Sequence, residues 1–341
     1  MPVNEGDEEA TVGGPTVSVC MPMARTARAV EASVRSVLAQ DFGDFELLIG
    51  DETGAAAALV AEIGDSRVRY RHNPERLGFS QNHVALLDRA RGRYLAVLHD
   101  DDRWEPAFLS RLVDVLEGDP EVGLACCAVV LDRGGAAGGA AGGPVDSTEM
   151  WPIPLRPGRS DGVLEVLLGE EWFMLQGNAV WRRAVWDGAA RQWPDLCCGD
   201  LQFFLSMADA GWPVYFLDQA LMRYSMHTGQ SGAWRGADSG LGVAEDVLAF
   251  WERWLTGRSE REVELTARPR ARWQLRRARA LLLSGRRADA RVAVAAAEAL
   301  GGSDLPGLGR LRLAATLPNP VVRGAVSLKR AVDAVRSSGH R

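Results

Sequence analysis

A chain of 341 residues, 47% hydrophobic and 25% charged, has enough apolar material for the core of one large or two modest domains. Its formal net charge of −6 argues against binding to nucleic acid through a basic surface. No apolar run reaches the roughly 18 residues of a membrane-spanning helix, and the first residues lack the pattern of a signal peptide, so neither is predicted.

Cysteine usage is typical of a reduced protein. The five cysteines form no Cys-x-x-Cys pair, and four of them stand in the doublets Cys126-Cys127 and Cys197-Cys198. Because adjacent cysteines cannot readily bridge and zinc sites need spaced ligands, we predict buried free thiols, no zinc site and a cytoplasmic location.

The first part of the chain alternates two patterns. Short β-rich runs predict strands at 16–21, 45–49, 67–71, 94–98 and 122–131. Apolar residues at helical spacing predict helices between them, at 26–40, 55–63, 78–91 and 106–117. This alternation predicts βαβ units and a mostly parallel sheet, hence an α/β fold, with Pro22 ending the first strand.

The other segments of this part predict one domain over 16–235. Residues 1–15 are acidic and Gly-rich and are expected to be disordered. The Gly/Ala stretch 133–147 is expected to be a flexible loop. A helix at 201–210 and a strand at 214–217 complete the domain.

The sequence after residue 240 has a helical pattern instead of alternating strands and helices. A helical appendage is predicted at 240–300, with a hairpin that turns at Ser284-Gly285. The last 40 residues carry seven Lys or Arg against two Asp, so 301–341 is predicted to be a basic, partly helical tail. A helix at 321–335 fits either a solvated tail or peripheral contact with a membrane surface.

Acidic residues follow two of the predicted strands. Asp100, Asp101 and Asp102 end the strand at 94–98, and Asp51 and Glu52 end the strand at 45–49. In a parallel sheet both groups lie at the carboxyl edge, where ligands bind. Carboxylates there suit Mg²⁺ or Mn²⁺ together with a diphosphate, whereas the alternative is a solvated turn whose Asp102 caps the helix near Pro106.

Six segments in order resemble the family 2 glycosyltransferases over roughly residues 16–232. They are VSVCMP (17–22), SVLAQDF (36–42), FELLIGDE (45–52), Asn73 with LGF (77–79) and Asn82, ARGRY (90–94), and LHDDDRW (98–104) with Pro106. The resemblance implies a GT-A fold, a Rossmann-like mixed sheet flanked by helices. It also implies an inverting, metal-dependent transfer of a sugar from a nucleotide-diphosphate sugar to an acceptor hydroxyl.

The resemblance assigns donor-side roles. It implies that Pro22, Asp51 and Glu52 contact the base and ribose, and that Asn82 belongs to the same nucleotide site. A metal site is implied as well. There, Asp101 is the principal ligand, Asp100 faces the ribose or the metal, Asp102 supports them within the nucleotide-sugar site, and His227 is a third ligand or a diphosphate contact.

Acceptor-side roles follow from later segments. Gln176-Gly177-Asn178 resembles the segment beside the acceptor, so Gly177 and Asn178 are candidate acceptor contacts, as is Trp172, whose indole could stack on a sugar. Asp200 resembles the aspartate of the "ED" motif and is the candidate general base. The alternative for Asp200 is a cap on the helix at 201–210.

The sequence departs from the family pattern in three places. Met23-Ala24-Arg25 replaces the common residues after Pro22, His99 replaces an aspartate before the acid pair, and Gly199 replaces the glutamate of the "ED" motif. Because of the last change, a second hypothesis stays open: a protein that binds sugar nucleotides or glycans without turnover. A nucleotidyltransferase is the third hypothesis, although the basic Gly-rich loop that it needs is not found after the first strand.

The partners follow from these hypotheses. The donor nucleotide is expected to be UDP, with dTDP and GDP next, and the acceptor a glycan, a lipid-linked glycan or a natural product. The sequence leaves the sugar, the acceptor and the oligomeric state open.

Overall fold

The computed structural model describes residues 13–24, 27–132, 149–170, 175–190, 199–226 and 237–317. The predicted disorder before residue 13, the loop 133–147 and the tail helix 321–335 lie outside these ranges. The chain divides into two compact units. The first consists of residues 1–164, 173–195 and 199–227, and the second consists of 165–172, 196–198 and 228–341.

The first unit contains one mixed sheet. Its strands in the described ranges are β1 (Val17–Met23), β2 (Phe45–Asp51), β3 (Val68–His72), β4 (Tyr94–Val97), β5 (Arg103–Trp104), β6 (Leu124–Asp132), β7 (Gly158–Ser160), β8 (Ala179–Arg182) and β9 (Val214–Ser225). The strand order is β3-β2-β1-β4-β8-β6-β9-β5, and β7 pairs with β9.

Helices connect these strands. Those with described residues before β9 are α1 (Ala27–Leu38), α2 (Ala57–Ile63), α3 (Phe79–Arg89), α4 (Phe108–Gly118), α5 (Val163–Gly169), α6 (Arg183–Val185) and α7 (Gly199–Asp209). Apolar side chains of α1 and α4 join those of β1, β2, β4 and β6 in one buried cluster. The helical spacing of Val30, Val34 and Val37 is what presents one face of α1 to this core.

The sheet is mixed, which corrects the prediction of a mostly parallel sheet: β6 and β9 also pair in parallel, but β5, β7 and β8 pair only antiparallel with their neighbours. Strands β3, β2, β1 and β4 run parallel, as the βαβ pattern predicts. Strand β8 then lies antiparallel between β4 and β6. No strand was predicted for the four residues of β8, because so short a run carries little periodic signal.

The first strand passes through Pro22 and ends at Met23, so the prediction that Pro22 stops it is wrong. The backbone N–H of Leu98 donates to Cys20 O, and that of Glu52 donates to Met23 O. The backbone N–H and C=O groups of successive β1 residues therefore point alternately to β4 and to β2. The missing N–H of Pro22 falls on the β4 side, just beyond Val97, the last paired residue of β4, so the pairing of β1 with β2 continues to Met23.

Gly92 sets the close approach of β4 to β1. A Cβ atom added there would lie 2.4 Å from the Ser18 backbone nitrogen and 2.8 Å from Tyr94 O. We expect Gly92→Ala to lower the free energy of unfolding by about 1–3 kcal/mol or more, since backbone cannot yield as a flexible side chain can. Urea denaturation measures this loss. Gly118→Ala is the matched control, because no atom lies within 4 Å of a Cβ there. Equal effects would contradict the steric argument.

Glu46 anchors the opposite, amino edge of the sheet. Its buried carboxylate accepts hydrogen bonds from Ser18 Oγ (2.6 Å) and from the backbone N–H of Arg91 (2.9 Å). The guanidinium groups of Arg69 and Arg91 lie 3.1 and 3.2 Å from Oε2. Burial raises the pKa of Glu46, but these hydrogen bonds and charges outweigh it and hold the pKa below its ordinary value of 4.5.

A lowered pKa makes the stabilisation by Glu46 dependent on pH. It is fully present above the unfolded pKa, about 4.5, and is lost as the pH falls through the lower folded pKa. We therefore expect Glu46→Gln to be destabilised at neutral pH and to approach the wild type in strong acid. Urea titrations at several pH values measure the difference. Glu117→Gln, at an exposed ion pair, is the control, and a pH-independent difference at Glu46 would contradict the linkage.

The second unit is helical over its described main stretch, with α8 (Ala237–Trp254), α9 (Glu260–Leu265), α10 (Ala267–Leu283), α11 (Arg287–Ala299) and α12 (Leu308–Thr316). Helices α10 and α11 form the predicted hairpin around Ser284-Gly285. Small alanines such as Ala278 and Ala293 let these helices approach closely. Across the described ranges, no helix has the length and hydropathy needed to cross a membrane.

Candidate functional site

The carboxyl ends of three parallel strands meet at one edge of the sheet, as predicted. Strand β1 lies between β2 and β4 and pairs Met23 with Asp51. The next backbone N–H, that of Ala24, donates to Oδ2 of Asp100 at 3.1 Å. The acids that follow β2 and β4 therefore flank the end of β1, separated by two strand spacings, or roughly 10 Å.

The three consecutive aspartates differ in exposure. Asp100 is 7% exposed and Asp102 only 1%, whereas Asp101 is partly exposed. Oδ1 of Asp102 accepts the backbone N–H of Ser225 at 2.9 Å, which ties the acidic turn to the end of β9. Oδ2 of Asp102 is buried without a hydrogen-bond partner. Of the three, Asp101 is the side chain most open to a ligand.

His99 stands against the buried carboxylate. Its Nδ1 lies 3.8 Å from Oδ2 of Asp102, an ion-pair distance longer than a hydrogen bond. Burial lowers the pKa of His99, but Asp102 and the other two aspartates outweigh it, so that the net pKa is raised. Burial raises the pKa of Asp102 to about 6, opposed by His99 and by the Ser225 N–H. His99 and Asp102 therefore each favour the charged form of the other.

The alternative in which Asp102 caps the following helix is wrong. Helix α4 has no side-chain cap from Ala107, the residue before it. Gln40 serves its first turn instead, because its Oε1 accepts the N–H of Leu109 at 2.9 Å while its Nε2 donates to Glu105 O. The glutamine of the SVLAQDF segment therefore has a structural role.

Both oxygens of Asp51 are already engaged. Oδ1 accepts hydrogen bonds from Thr53 and from the Gly54 N–H, and Oδ2 accepts from the Ala56 N–H and the Tyr70 hydroxyl. Burial raises the pKa of Asp51, but these donors outweigh it and lower the pKa. A nucleotide contact by this carboxylate would compete with these bonds, and the assignment stays a prediction.

Glu52 and Asn82 also shape the loops at this edge. Oε1 of Glu52 accepts the N–H groups of Leu77 and Gly78, directly before α3. The amide of Asn82 donates to Gly50 O at 2.8 Å and accepts from Asn73. Both side chains therefore hold the β2–α3 region in place. Pro22 is partly exposed beside them at the end of β1, and the nucleotide contacts of all three stay predictions.

The segment predicted beside the acceptor forms a buried 3₁₀ turn, Gln176–Asn178. Gly177 O accepts the indole N–H of Trp104 at 2.6 Å, and a Cβ on Gly177 would lie 3.9 Å from Oδ2 of Asp102. Asn178 donates to Cys127 O, and its own Oδ1 is buried without a partner. Gly177 and Asn178 thus lie next to the acidic turn, and their contact with an acceptor stays a prediction.

Asp200 lies in the first turn of α7, where its Oδ1 accepts the N–H of Leu201 at 3.0 Å. This bond is compatible with the predicted capping role and leaves the base role untested. Asp200 and the acidic turn belong to the same compact unit. Trp172 and His227, predicted for the acceptor and the metal, lie outside the described residues.

The acidic residues at this edge could bind a divalent cation only together with a ligand that supplies further oxygen atoms. In the described ranges, no group of three or more His, Cys, Asp or Glu side chains is placed to hold a metal. Mg²⁺ and Mn²⁺, however, use one or two carboxylates and complete their shell with water and phosphate oxygens. The partly exposed Asp101 and the unpartnered Oδ2 of Asp102 are suitable oxygen donors at such a site.

Several contacts at this site escaped the sequence interpretation. The backbone N–H groups of Ala24 and Ser225 that hold the aspartates have no sequence signal, since any residue but proline supplies one. His83, which contacts His99, had only the weak signal of a histidine inside an amphipathic helix. Cys20, Cys126 and Cys127 are free and buried, as predicted.

Comparison with known proteins identifies a family match for part of the chain. Residues 18–141 match the family model described as Glycosyl transferase family 2. An uncharacterized protein of Mycobacterium tuberculosis is 37% identical over 116 residues, which are 33% of this chain and 35% of that protein. The UDP-Glc:alpha-D-GlcNAc-diphosphoundecaprenol beta-1,3-glucosyltransferase WfgD of Escherichia coli is 33% identical over 90 residues, 26% of this chain and 36% of WfgD. The chain thus spans about a third of the length of these relatives.

Solved structures share the fold. TarS 1-349 of S. aureus, in complex with UDP-GlcNAc, has a TM-score of 0.58 at 14% identity and covers 92% of both chains. The mannosyltransferase PcManGT of Pyrobaculum calidifontis, in complex with GDP-Man and Mn²⁺, has a TM-score of 0.55 at 19% identity over 92% of this chain and 84% of that one. The fold is therefore the predicted GT-A fold, with C-terminal helices. The family match over residues 18–141 agrees with the resemblance to family 2 glycosyltransferases that the six sequence segments carry.

Proposed function

We propose that this protein is an inverting, metal-dependent glycosyltransferase, which transfers a sugar from a nucleotide-diphosphate sugar to an acceptor hydroxyl. One observation carries the proposal: within a family 2 domain, the Asp100–Asp102 turn is bound to the end of β1 by the Ala24–Asp100 hydrogen bond. The acids of β2 and β4 then border one site at the carboxyl edge of the sheet, where α/β folds bind nucleotides.

The donor side would bind the nucleotide. The hydrogen bonds of Asp51 and Glu52 fix the loops after β2 and before α3, which would form the walls around the base and ribose. Pro22 and Asn82 stand at the same edge. Named complexes of the solved neighbours contain UDP-GlcNAc and GDP-Man, so uridine and guanosine nucleotides are the donors to test first.

The acidic turn would hold a divalent cation. Asp101 is the principal ligand in this proposal, Asp100 and Asp102 support it, and His227 is a further candidate. Mn²⁺ or Mg²⁺ held by these residues would supply positive charge to neutralise the departing nucleoside diphosphate. Asp100, held by the N–H of Ala24, would keep the turn aligned with the end of β1.

The acceptor side would complete the reaction. Asp200 takes the proton of the attacking hydroxyl, and attack from the face opposite the leaving diphosphate inverts the anomeric carbon. Gly177, Asn178 and Trp172 remain the candidate acceptor contacts. The named acceptor of WfgD is a sugar on a lipid diphosphate, which makes lipid-linked glycans the first acceptor class to test here.

A nucleotide panel tests the donor assignment. Thermal unfolding is followed with UDP, dTDP, GDP, ADP and CDP, each with and without Mn²⁺. A nucleotide at about 100 times its Kd is expected to stabilise the protein by about 2.7 kcal/mol, and only in the presence of the cation. The sugar nucleotides of the best base are then tested for turnover by separating the products.

The products distinguish the three hypotheses. Release of a nucleoside diphosphate together with a glycosylated acceptor of inverted anomeric configuration supports the proposal. Release of pyrophosphate from a nucleoside triphosphate and a sugar phosphate identifies a nucleotidyltransferase instead. Tight binding without turnover, even with lipid-linked glycan supplied, identifies a binding protein. If no nucleotide stabilises the protein with or without Mn²⁺, the nucleotide site itself is wrong.

A further inference from the structure

A buried histidine and a partly exposed one form a pair beside the acidic turn. His83 lies on α3 and is fully buried, and its Nε2 is 3.2 Å from Nε2 of His99. The ring centroids are 5.4 Å apart. The distance between the centroids is longer than the distance between the two nitrogens by nearly the sum of the two ring radii. Each Nε2 therefore lies on the side of its ring that faces the other ring. The pair is therefore joined by one N–H···N hydrogen bond.

The other edge of the His99 ring faces the acids. Its Nδ1 lies 3.8 Å from Oδ2 of Asp102, and no hydrogen bond satisfies that buried oxygen. A neutral imidazole has one N–H, and the nitrogen that bears it is set by the partners of the two ring nitrogens. Because a carboxylate attracts an N–H, the proton of His99 belongs on Nδ1. Nε2 of His99 then accepts, and Nε2 of His83 donates.

We propose that His83 is a positioning residue for the acidic turn. By donating to Nε2 of His99, it fixes the ring of His99 in the Nδ1–H tautomer and directs that N–H at Asp102. The buried carboxylate of Asp102 then faces the N–H dipole of His99 rather than the lone pair of an unprotonated nitrogen. His99 replaces the aspartate common in the family. His83 fixes the tautomer in which His99 can stand beside the carboxylate of Asp102. The consequence for cation binding rests on the proposed function, but the tautomer does not.

The tautomer can be measured directly. Protein labelled with ¹⁵N at its five histidines is recorded by long-range ¹H–¹⁵N NMR at increasing pH until the His99 ring has lost its charge, because the three aspartates raise the pKa of His99. His99, assigned with a His99→Gln variant, is expected to show an Nδ1–H ring. An Nε2–H ring would overturn the proposal.

Variants at His83 separate the polar link from packing. His83→Leu is expected to leave His99 in a mixture of tautomers, while His83→Gln, whose amide can still donate, retains more of the Nδ1–H form. Leu87→Ala is the matched control, since Leu87 is fully buried on the same helix but is apolar. If His83→Leu leaves the His99 spectrum unchanged, His83 has no positioning role.

The effect on the cation is measured with UDP and Mn²⁺ as probes. In His83→Leu, the Mn²⁺ concentration that half-saturates UDP binding is expected to rise about 10-fold or more, as for other residues that orient a ligand shell. His83→Gln is expected to recover part of this loss, and Leu87→Ala to keep the wild-type value. An unchanged Mn²⁺ requirement in His83→Leu would contradict the link. If wild type binds no UDP, the proposed donor fails, while the tautomer still decides the role of His83.

Discussion

Asp101→Asn is expected to reduce nucleoside diphosphate release by at least about 10²-fold, because the amide removes the charge that binds the cation opposite the leaving diphosphate. Asp101 is the most exposed of the three aspartates, so we expect its replacement to disturb the packing least. The free energy of unfolding is therefore expected to change by no more than about 0.5 kcal/mol. Product release at saturating sugar nucleotide, as a function of Mn²⁺ concentration, measures the effect.

Two comparisons make this result interpretable. Asp114→Asn introduces the same chemical change on the exposed face of α4 and is expected to retain full activity. Asp102→Asn alters a buried carboxylate that accepts the Ser225 N–H, so it is expected to lose stability as well as activity. If Asp101→Asn keeps both its activity and its Mn²⁺ dependence, the cation site lies elsewhere.

Asp200→Asn is expected to slow sugar transfer by about 10²–10⁴-fold while donor binding stays unchanged, because the general base is lost and the nucleotide site is not touched. Asparagine keeps a side-chain oxygen that can accept the N–H of Leu201, so α7 retains its hydrogen bond. The measurement is kcat for transfer to the acceptor found in the product assay, together with the UDP affinity in Mn²⁺.

Asp200→Ala provides the contrast, since alanine removes both the base and the N–H acceptor. It is expected to lose the same activity and, in addition, about 1 kcal/mol of stability. A variant pair in which only the alanine is impaired would assign Asp200 to the helix terminus alone. The base would then have to come from another residue.

Local sequence predicted the elements around the site because burial leaves a periodic record. The β-rich runs of β1, β2 and β4 are strands buried in the core, and the spacing of Val30, Val34 and Val37 fixes the inner face of α1. The acids after β2 and β4 were placed correctly at one edge, since parallel pairing with β1 leaves no other arrangement. These features depend on residues close together in the chain.

The sequence by itself determined the α/β pattern, the family 2 segments and the acidic strand ends. Only the tertiary structure decided that β8 runs antiparallel beside β4, that Asp102 is held by Ser225, 123 residues away, and that His99 is joined to His83. The physical reason is the range of the interactions. Periodicity records which face of a segment is buried, whereas a hydrogen bond between distant residues exists only once the packed sheet has brought them together.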